Sequence, residues 1–178
     1  MQSVRTRSAA VVAALLLCLA AVLATQSHTT PAAAQGPDGG VAHLQQGNVN
    51  LQPTASGTWV NTSLRVTLPR PGTYLLDADV RGRIAADDRL LASIQARLWN
   101  VTENEAVPLS ERLVTHMNIP ALGIVAKQST APISERITVT EETTIRLQVR
   151  RVNSVGETIR ADIFSDGSGR TALRYQRV

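Results

Sequence analysis

The sequence predicts an all-β domain, an antiparallel two-sheet sandwich or jelly roll, behind an N-terminal leader. Three observations carry this. From Trp59 onward the chain breaks into short runs in which apolar and polar residues alternate, the pattern of strands with one buried and one solvated face. Those runs are closed by Pro, Gly and acidic turns, with no intervening amphipathic helix of the length a parallel sheet would need. Each run is apolar on one side only, as two packed sheets with wet outer surfaces require.

The first element is the leader. Met1–Ser8 carries Arg5 and Arg7 and no acid, Ala9–Ala24 is almost wholly apolar, and a polar stretch ends in Ala32-Ala33-Ala34 before Gln35. This order reads as a helical secretory signal peptide over residues 1–34, cut after Ala34 or, on a looser match, after Ala24. The apolar run is shorter than the roughly 18–20 residues a spanning helix needs, which favours a cleaved leader over an anchor. Cys18 follows Leu15-Leu16-Leu17 rather than a small residue, so a lipoprotein cut is rejected. Cys18 is also the sole cysteine, and cleavage leaves a domain with neither disulfide nor thiol chemistry. The expected location is secreted and extracellular, with no membrane attachment after cleavage. Arginine outnumbers lysine heavily, Lys127 being the one lysine, which suggests a GC-rich bacterial, actinobacterial-like genome.

Removing the leader leaves 144 residues with 16 basic and 14 acidic side chains, one domain with a net charge of +2. No long basic block is present, so nucleic acid is not an expected partner. Residues 35–56 are rich in Gly, Gln, Asn and Pro and read as a flexible arm, with one short strand near Val49–Leu51. The sandwich is expected over 57–178. Its runs are Val60–Leu68, stopped by Pro69-Arg70-Pro71-Gly72; Tyr74–Val80; Leu90–Leu98; Ile137–Val139 before the Glu141-Glu142 turn; Ile145–Val149; and Leu173–Tyr175. Only Ala85–Ala96 competes as a helix, and its alternation favours strand.

Three segments carry a family resemblance. Pro71-Gly72-Thr73-Tyr74-Leu75-Leu76-Asp77-Ala78-Asp79-Val80 resembles the P-G-x-Y-x-x-x-A-x-V strand of the complement globular-head and tumour-necrosis-factor jelly-roll superfamily. Ala96–Thr102 with Val107-Pro108-Leu109-Ser110-Glu111 resembles a hairpin of its bacterial and phage-tail relatives, and Val139–Val149 resembles its V-x-x-G-D-T-V-x-L-x-V turn and strand. Glu141-Glu142 replaces the Gly-Asp usual in that turn. Over residues 57–178 the resemblance implies a ten-stranded jelly roll, self-association as a homotrimer, binding or structural roles, and no catalytic residues or cofactor. Such trimers pack aromatic residues along their axis, and this chain offers Trp59, Tyr74, Trp99, Phe164 and Tyr175.

Chemistry-bearing residues are sparse. His28, His43 and His116 are far apart in sequence and no cysteine joins them, so no metal site is expected. Ser110 and Ser134 precede glutamates but sit in no Gly-x-Ser-x-Gly elbow, and Ser168 reads as a turn serine. Asp77 and Asp79 share a strand face with Arg81 and Arg83. They could serve a glycosidase or bind calcium, but cross-strand neutralisation by arginine is the expected role. Asp166-Gly167-Ser168-Gly169 reads as a β-turn.

Arginines concentrate in the last third, at 146, 150, 151, 160, 170, 174 and 177. The plainer reading is an ordinary solvated face partnered by Glu135, Glu141, Glu142 and Glu157. If Arg146, Arg150 and Arg174 share one solvent face, they would instead form a strip for a glycan or an anionic cell-surface polymer. Trp99, opposite in sense to Leu98, would pack under a loop, as a lone tryptophan most often does, or stand out as a sugar-stacking platform or a subunit contact. The expected function is a secreted, non-enzymatic binding or structural module, with a carbohydrate-binding module and, more distantly, a small glycoside hydrolase as alternatives.

Overall fold

The computed structural model describes residues 34–35, 38–45, 47–120 and 123–178, all within a unit spanning Ala33–Val178. The leader read over 1–34, with its looser cleavage point and Cys18, lies outside the described residues, Ala34 excepted. Among the described residues all regular structure is strand: β1 (Ala34–Gln35), β2 (Gly39–His43), β3 (Gly47–Asn50), β4 (Val60–Leu68), β5 (Gly72–Ala86), β6 (Leu90–Asn100), β7 (Glu105–Ala106), β8 (Arg112–Ile119), β9 (Val125–Val139), β10 (Thr143–Val155), β11 (Arg160–Ser165) and β12 (Ala172–Arg177).

These strands make a seven-stranded and a five-stranded antiparallel sheet. In the larger, β5 is central. β9 flanks it along one side; on the other, β12, β2 and β1 extend from its first half and β11 and β3 from its second. The smaller sheet runs β4-β10-β6, with β7 and β8 sharing the far side of β6. The chain changes sheet at β3→β4, β4→β5, β5→β6, β8→β9, β9→β10 and β10→β11, which is jelly-roll winding. The two-residue β1 and β7 bring the strands to twelve rather than ten.

Alternation decides what is buried. Tyr74, Leu76, Ala78, Val80 and Ile84 of β5 face Leu90, Ile94 and Leu98 of β6 and Ile145, Leu147 and Val149 of β10 across one core. Each of the larger side chains contributes about 1.5–3 kcal/mol by leaving water. The Tyr74 ring meets Tyr175 edge-on at 5.9 Å, and its hydroxyl donates to the Arg70 carbonyl at 2.8 Å, so the polar tip stays satisfied.

Two irregularities shape the sheets. On β4 the pairing with β10 shifts between Arg65 and Asn61, and Thr62 takes an inward slot there. Its hydroxyl donates to the Leu147 carbonyl at 2.8 Å and accepts the Leu64 N–H at 3.1 Å, satisfying groups the broken ladder leaves over. On β8 a bulge turns both Val114 and Thr115 inward, opposite Gly82 of β5, where a Cβ would come within 2.8 Å of Val114. Gly82 is therefore the room into which the bulge packs.

Within residues 35–56, expected as a flexible arm, Gln35, β2 and β3 are instead built into the larger sheet. β2 pairs with β12, β3 pairs with β11 close to the strand expected at Val49–Leu51, and Leu44 and Leu51 are buried. Gly39, Gly40, Gly47 and their polar neighbours show no alternation. Their order rests on backbone bonds to partners remote in sequence, which a local pattern cannot display.

β9 is an edge: among the described residues it pairs with β5 alone. Pro132 sits near its middle, opposite Asp79, and offers no N–H to an incoming strand. Lys127, Glu135 and Arg136 place charge along the same edge.

Candidate functional site

The outer face of the five-stranded sheet gathers an unusual set of side chains. Gln95, Arg97 and Trp99 of β6 and Arg146 and Arg150 of β10 alternate with buried neighbours and so stand outward, as does Gln148 beneath them. Register sets Trp99 opposite Arg146, Arg97 opposite Gln148 and Gln95 opposite Arg150, while Arg65 of β4 lies on the other side of Arg146. With strands about 4.8 Å apart, these residues form one patch.

Trp59, just ahead of β4, completes it. Between Trp59 and Arg65 the pairing of β4 with β10 shifts register, and such a break is a common way for a sheet to re-aim a side chain. The guanidinium carbon of Arg97 lies 4.1 Å from the Trp59 ring centre and 4.7 Å from that of Trp99, and that of Arg150 lies 4.4 Å from Trp59. The result is an alternating series, Trp99–Arg97–Trp59–Arg150, in which each contact contributes about 0.5–2 kcal/mol.

Hydrogen bonds fix the planes of these arginines. Arg97 Nε donates to Gln148 Oε1 at 2.8 Å, and Gln148 Nε2 donates onward to Asn61 Oδ1 at 2.8 Å. Arg150 Nε donates to Gln95 Oε1 at 2.6 Å and its Nη2 to Glu111 Oε1 at 2.7 Å. Burial lowers the Arg97 guanidinium from its ordinary value; the Glu111 charge opposes that and the Arg150 charge adds to it. Among the described residues Arg65, Arg97 and Arg146 make no ion pair, and Arg146 Nε is buried without a hydrogen-bond partner. Of the four arginines on this face, Arg150 alone makes an ion pair among the described residues, with Glu111.

Of the residues singled out from the sequence, the structure brings together Trp99, Arg146 and Arg150. Arg174 does not join them. It lies on β12 in the other sheet, where its Nη1 bonds Asp79 Oδ2 at 2.7 Å. Alternation reveals which side of a strand a residue occupies, not which sheet the strand enters. Arg151 points inward and ties Thr54, Glu157 and Thr158 together, and Arg160 is held by Asp162 on β11. Trp59, Arg65 and Arg97 are the members that the sequence reading missed. Two were open to it, since Arg97 stands two residues before Trp99 and Trp59 two before the outward Asn61.

The remaining candidates have structural partners. Asp77 accepts from Ser134 Oγ at 2.6 Å and Asp79 from Arg174, on the outer face of the seven-stranded sheet. Asp166 accepts from Arg81 Nη1 at 2.6 Å and from the Ser168 N–H at 2.8 Å, which closes its turn. Ser110 is buried and its hydroxyl is spent on backbone atoms of Leu98 and Val107. His43 and His116 are exposed on different sheets, and His28 lies outside the described residues. No cluster of three metal-ligating side chains occurs among the described residues.

The fold and the patch define a class, a two-sheet antiparallel jelly-roll sandwich with a Trp/Arg outer face. No protein-family model matches the chain, and no curated protein matches it in sequence. Among solved structures it is similar to an Eiger TNF from S. frugiperda, at 10% identity and a TM-score of 0.38. That match covers 64% of this chain and 64% of the other, less than two thirds of its length. A similarity of this size carries no argument, and the jelly-roll assignment rests on the strand order.

Proposed function

We propose that this chain is a secreted, non-enzymatic binding module that holds an acidic polysaccharide on the outer face of its five-stranded sheet. The observation that carries this is the stacking of Arg97 and Arg150 on Trp59 and Trp99, with Arg65 and Arg146 beside them on the same face and Glu111 paired with Arg150. Guanidinium groups stacked on indoles and oriented by glutamines are preorganised donors for carboxylate or sulfate, and the indole edges and aliphatic arginine stems offer apolar surface to sugar rings. The stacked arginines also shift the sugar-platform reading of Trp99 toward charged rather than neutral polymers.

Retention on immobilised polygalacturonate, alginate, dextran sulfate and neutral dextran tests the proposal. The protein is expected to bind the acidic matrices and not dextran, and to elute as salt screens the patch. Arg146→Ala removes a cation that no group pairs among the described residues. It is expected to weaken binding about tenfold, the equivalent of one charge-assisted hydrogen bond of about 1.5 kcal/mol. Trp99→Ala should weaken it several-fold by freeing Arg97 from its stack. Equal retention on all four matrices, or unchanged affinity in both variants, rejects this face as the binding surface.

A further inference from the structure

We propose that the groove beside Arg97 is a subsite for one sugar carboxylate, a position that Glu111 of the chain itself fills in this structure. The inference rests on the binding face described above and names the group that face selects.

The groove encloses about 450 Å³ between Arg97 and the connection from Ala106 to Arg112. Val107, Pro108 and Leu109 supply hydrocarbon walls. The connection is pinned in place: Ser110 Oγ accepts the Leu98 N–H at 3.0 Å and donates to the Val107 carbonyl at 2.7 Å, and Arg112 Nη2 reaches Glu135 on β9 at 2.6 Å. Leu109 is held there at φ 60° with 85% of its surface exposed. A left-handed leucine costs about 1–2 kcal/mol, and such strain collects where a surface is shaped for a ligand.

Glu111 differs from the rest of the connection. Its carboxylate is half exposed and, among the described residues, is held by one contact, to Arg150 Nη2. Its charge also acts on Arg97, whose Nη groups have no acceptor among the described residues. Arg97 and Arg150 both lie over Trp59, and one internal carboxylate serves the two of them. A planar carboxylate entering the groove would meet the free fork of Arg97 and exchange with Glu111 at Arg150, like for like. Glu111 is therefore an internal competitor that sets the affinity.

Trp59 and Trp99 are the chain's two tryptophans, so its tryptophan fluorescence reports on this face. Wild type and Glu111→Gln are titrated with D-galacturonate, D-galactose and galactose 6-sulfate. Galacturonate is expected to give a saturable change in both proteins, with half-saturation about 3–5-fold lower in Glu111→Gln, the scale of one partly exposed ion pair. Galactose is expected to give none, and Arg97→Gln in the Glu111→Gln background should abolish the response. Equal half-saturation in the two proteins, no response in either, or an equal response to galactose overturns the subsite. Tighter binding of the sulfate than of galacturonate overturns its assignment to a carboxylate. Retention on polygalacturonate that persists in those cases leaves the binding face standing without this subsite. Loss of retention as well brings down both.

Discussion

Asp162→Ala is expected to cost about 3 kcal/mol, the lower end of what breaking a buried ion pair removes, because the arginines left behind still reach water. Asp162 is buried on β11, with 2% of its side chain exposed. Arg83 grips it with Nε and Nη2, both at 3.1 Å, Arg160 Nε reaches it at 2.7 Å and Asn48 Nδ2 at 3.2 Å. These bonds stitch β3, β5 and β11 together on the outer face, where Arg81 and Arg83 also cover the Phe164 ring at 4.4 and 4.5 Å. Burial alone would raise the Asp162 carboxyl. The bonds from Arg83, Arg160 and Asn48 and the Arg83 charge outweigh it and hold the group below the usual carboxylate range.

A pKa lowered by folding means that the unfolded chain binds the proton more readily. The stabilisation is therefore complete above the unfolded value of roughly 3.9 and is lost as pH falls through the lower folded value. Urea unfolding at pH 7 should show the full gap between wild type and Asp162→Ala, and a series taken into acid should show it narrowing. Asp166, lowered chiefly by its bond from Arg81, is present in both proteins and cancels in the comparison. Parallel stability curves across that range would show that the carboxylate charge is not what holds β11.

Gly156→Ala is the second large effect. Gly156 turns β10 into β11 at φ +70°, and a Cβ there would be driven into the Arg89 carbonyl oxygen at the start of β6. The left-handed backbone costs about 1–2 kcal/mol for any residue with a Cβ, and moving two backbone segments apart adds about 1–3 kcal/mol of overpacking. Gly57 provides the control: its φ is +85°, and a Cβ there would meet nothing within 4 Å. Gly57→Ala should show the conformational cost alone. Thermal unfolding of both variants isolates the clash as the difference, and equal losses would show that the Arg89 contact yields without cost.

The strands that the sequence displays are those with two unlike faces. β4, β5, β6, β10 and β12 each carry a buried and a solvated side, and their alternation survives intact over most of their length. β11 escapes because Ala161 through Ser165 are all buried, the outer side being roofed by arginines over Phe164. β8 escapes because its bulge sets Val114 and Thr115 inward in succession, and the first half of β9 because Val125–Gln128 buries neither face. The candidate site divides in the same way. The outward sense of Trp99, Arg146 and Arg150 follows from local alternation. The meeting of Trp59 with Arg97 depends on β10 lying between β4 and β6, which is decided by pairing across long sequence separations.

The place of β12 has a consequence for how the molecule assembles. β12 lies between β5 and β2, joined to both by antiparallel ladders. Until residues 172–177 arrive, β2 has no neighbour on its inner side and the first half of β5 is bare along one edge. The larger sheet therefore closes late and across long loops, a topology that folds slowly and leaves ladder groups exposed while it waits. Until that single short strand slides into the gap, a chain of this order keeps those ladder groups open to capture by a chaperone.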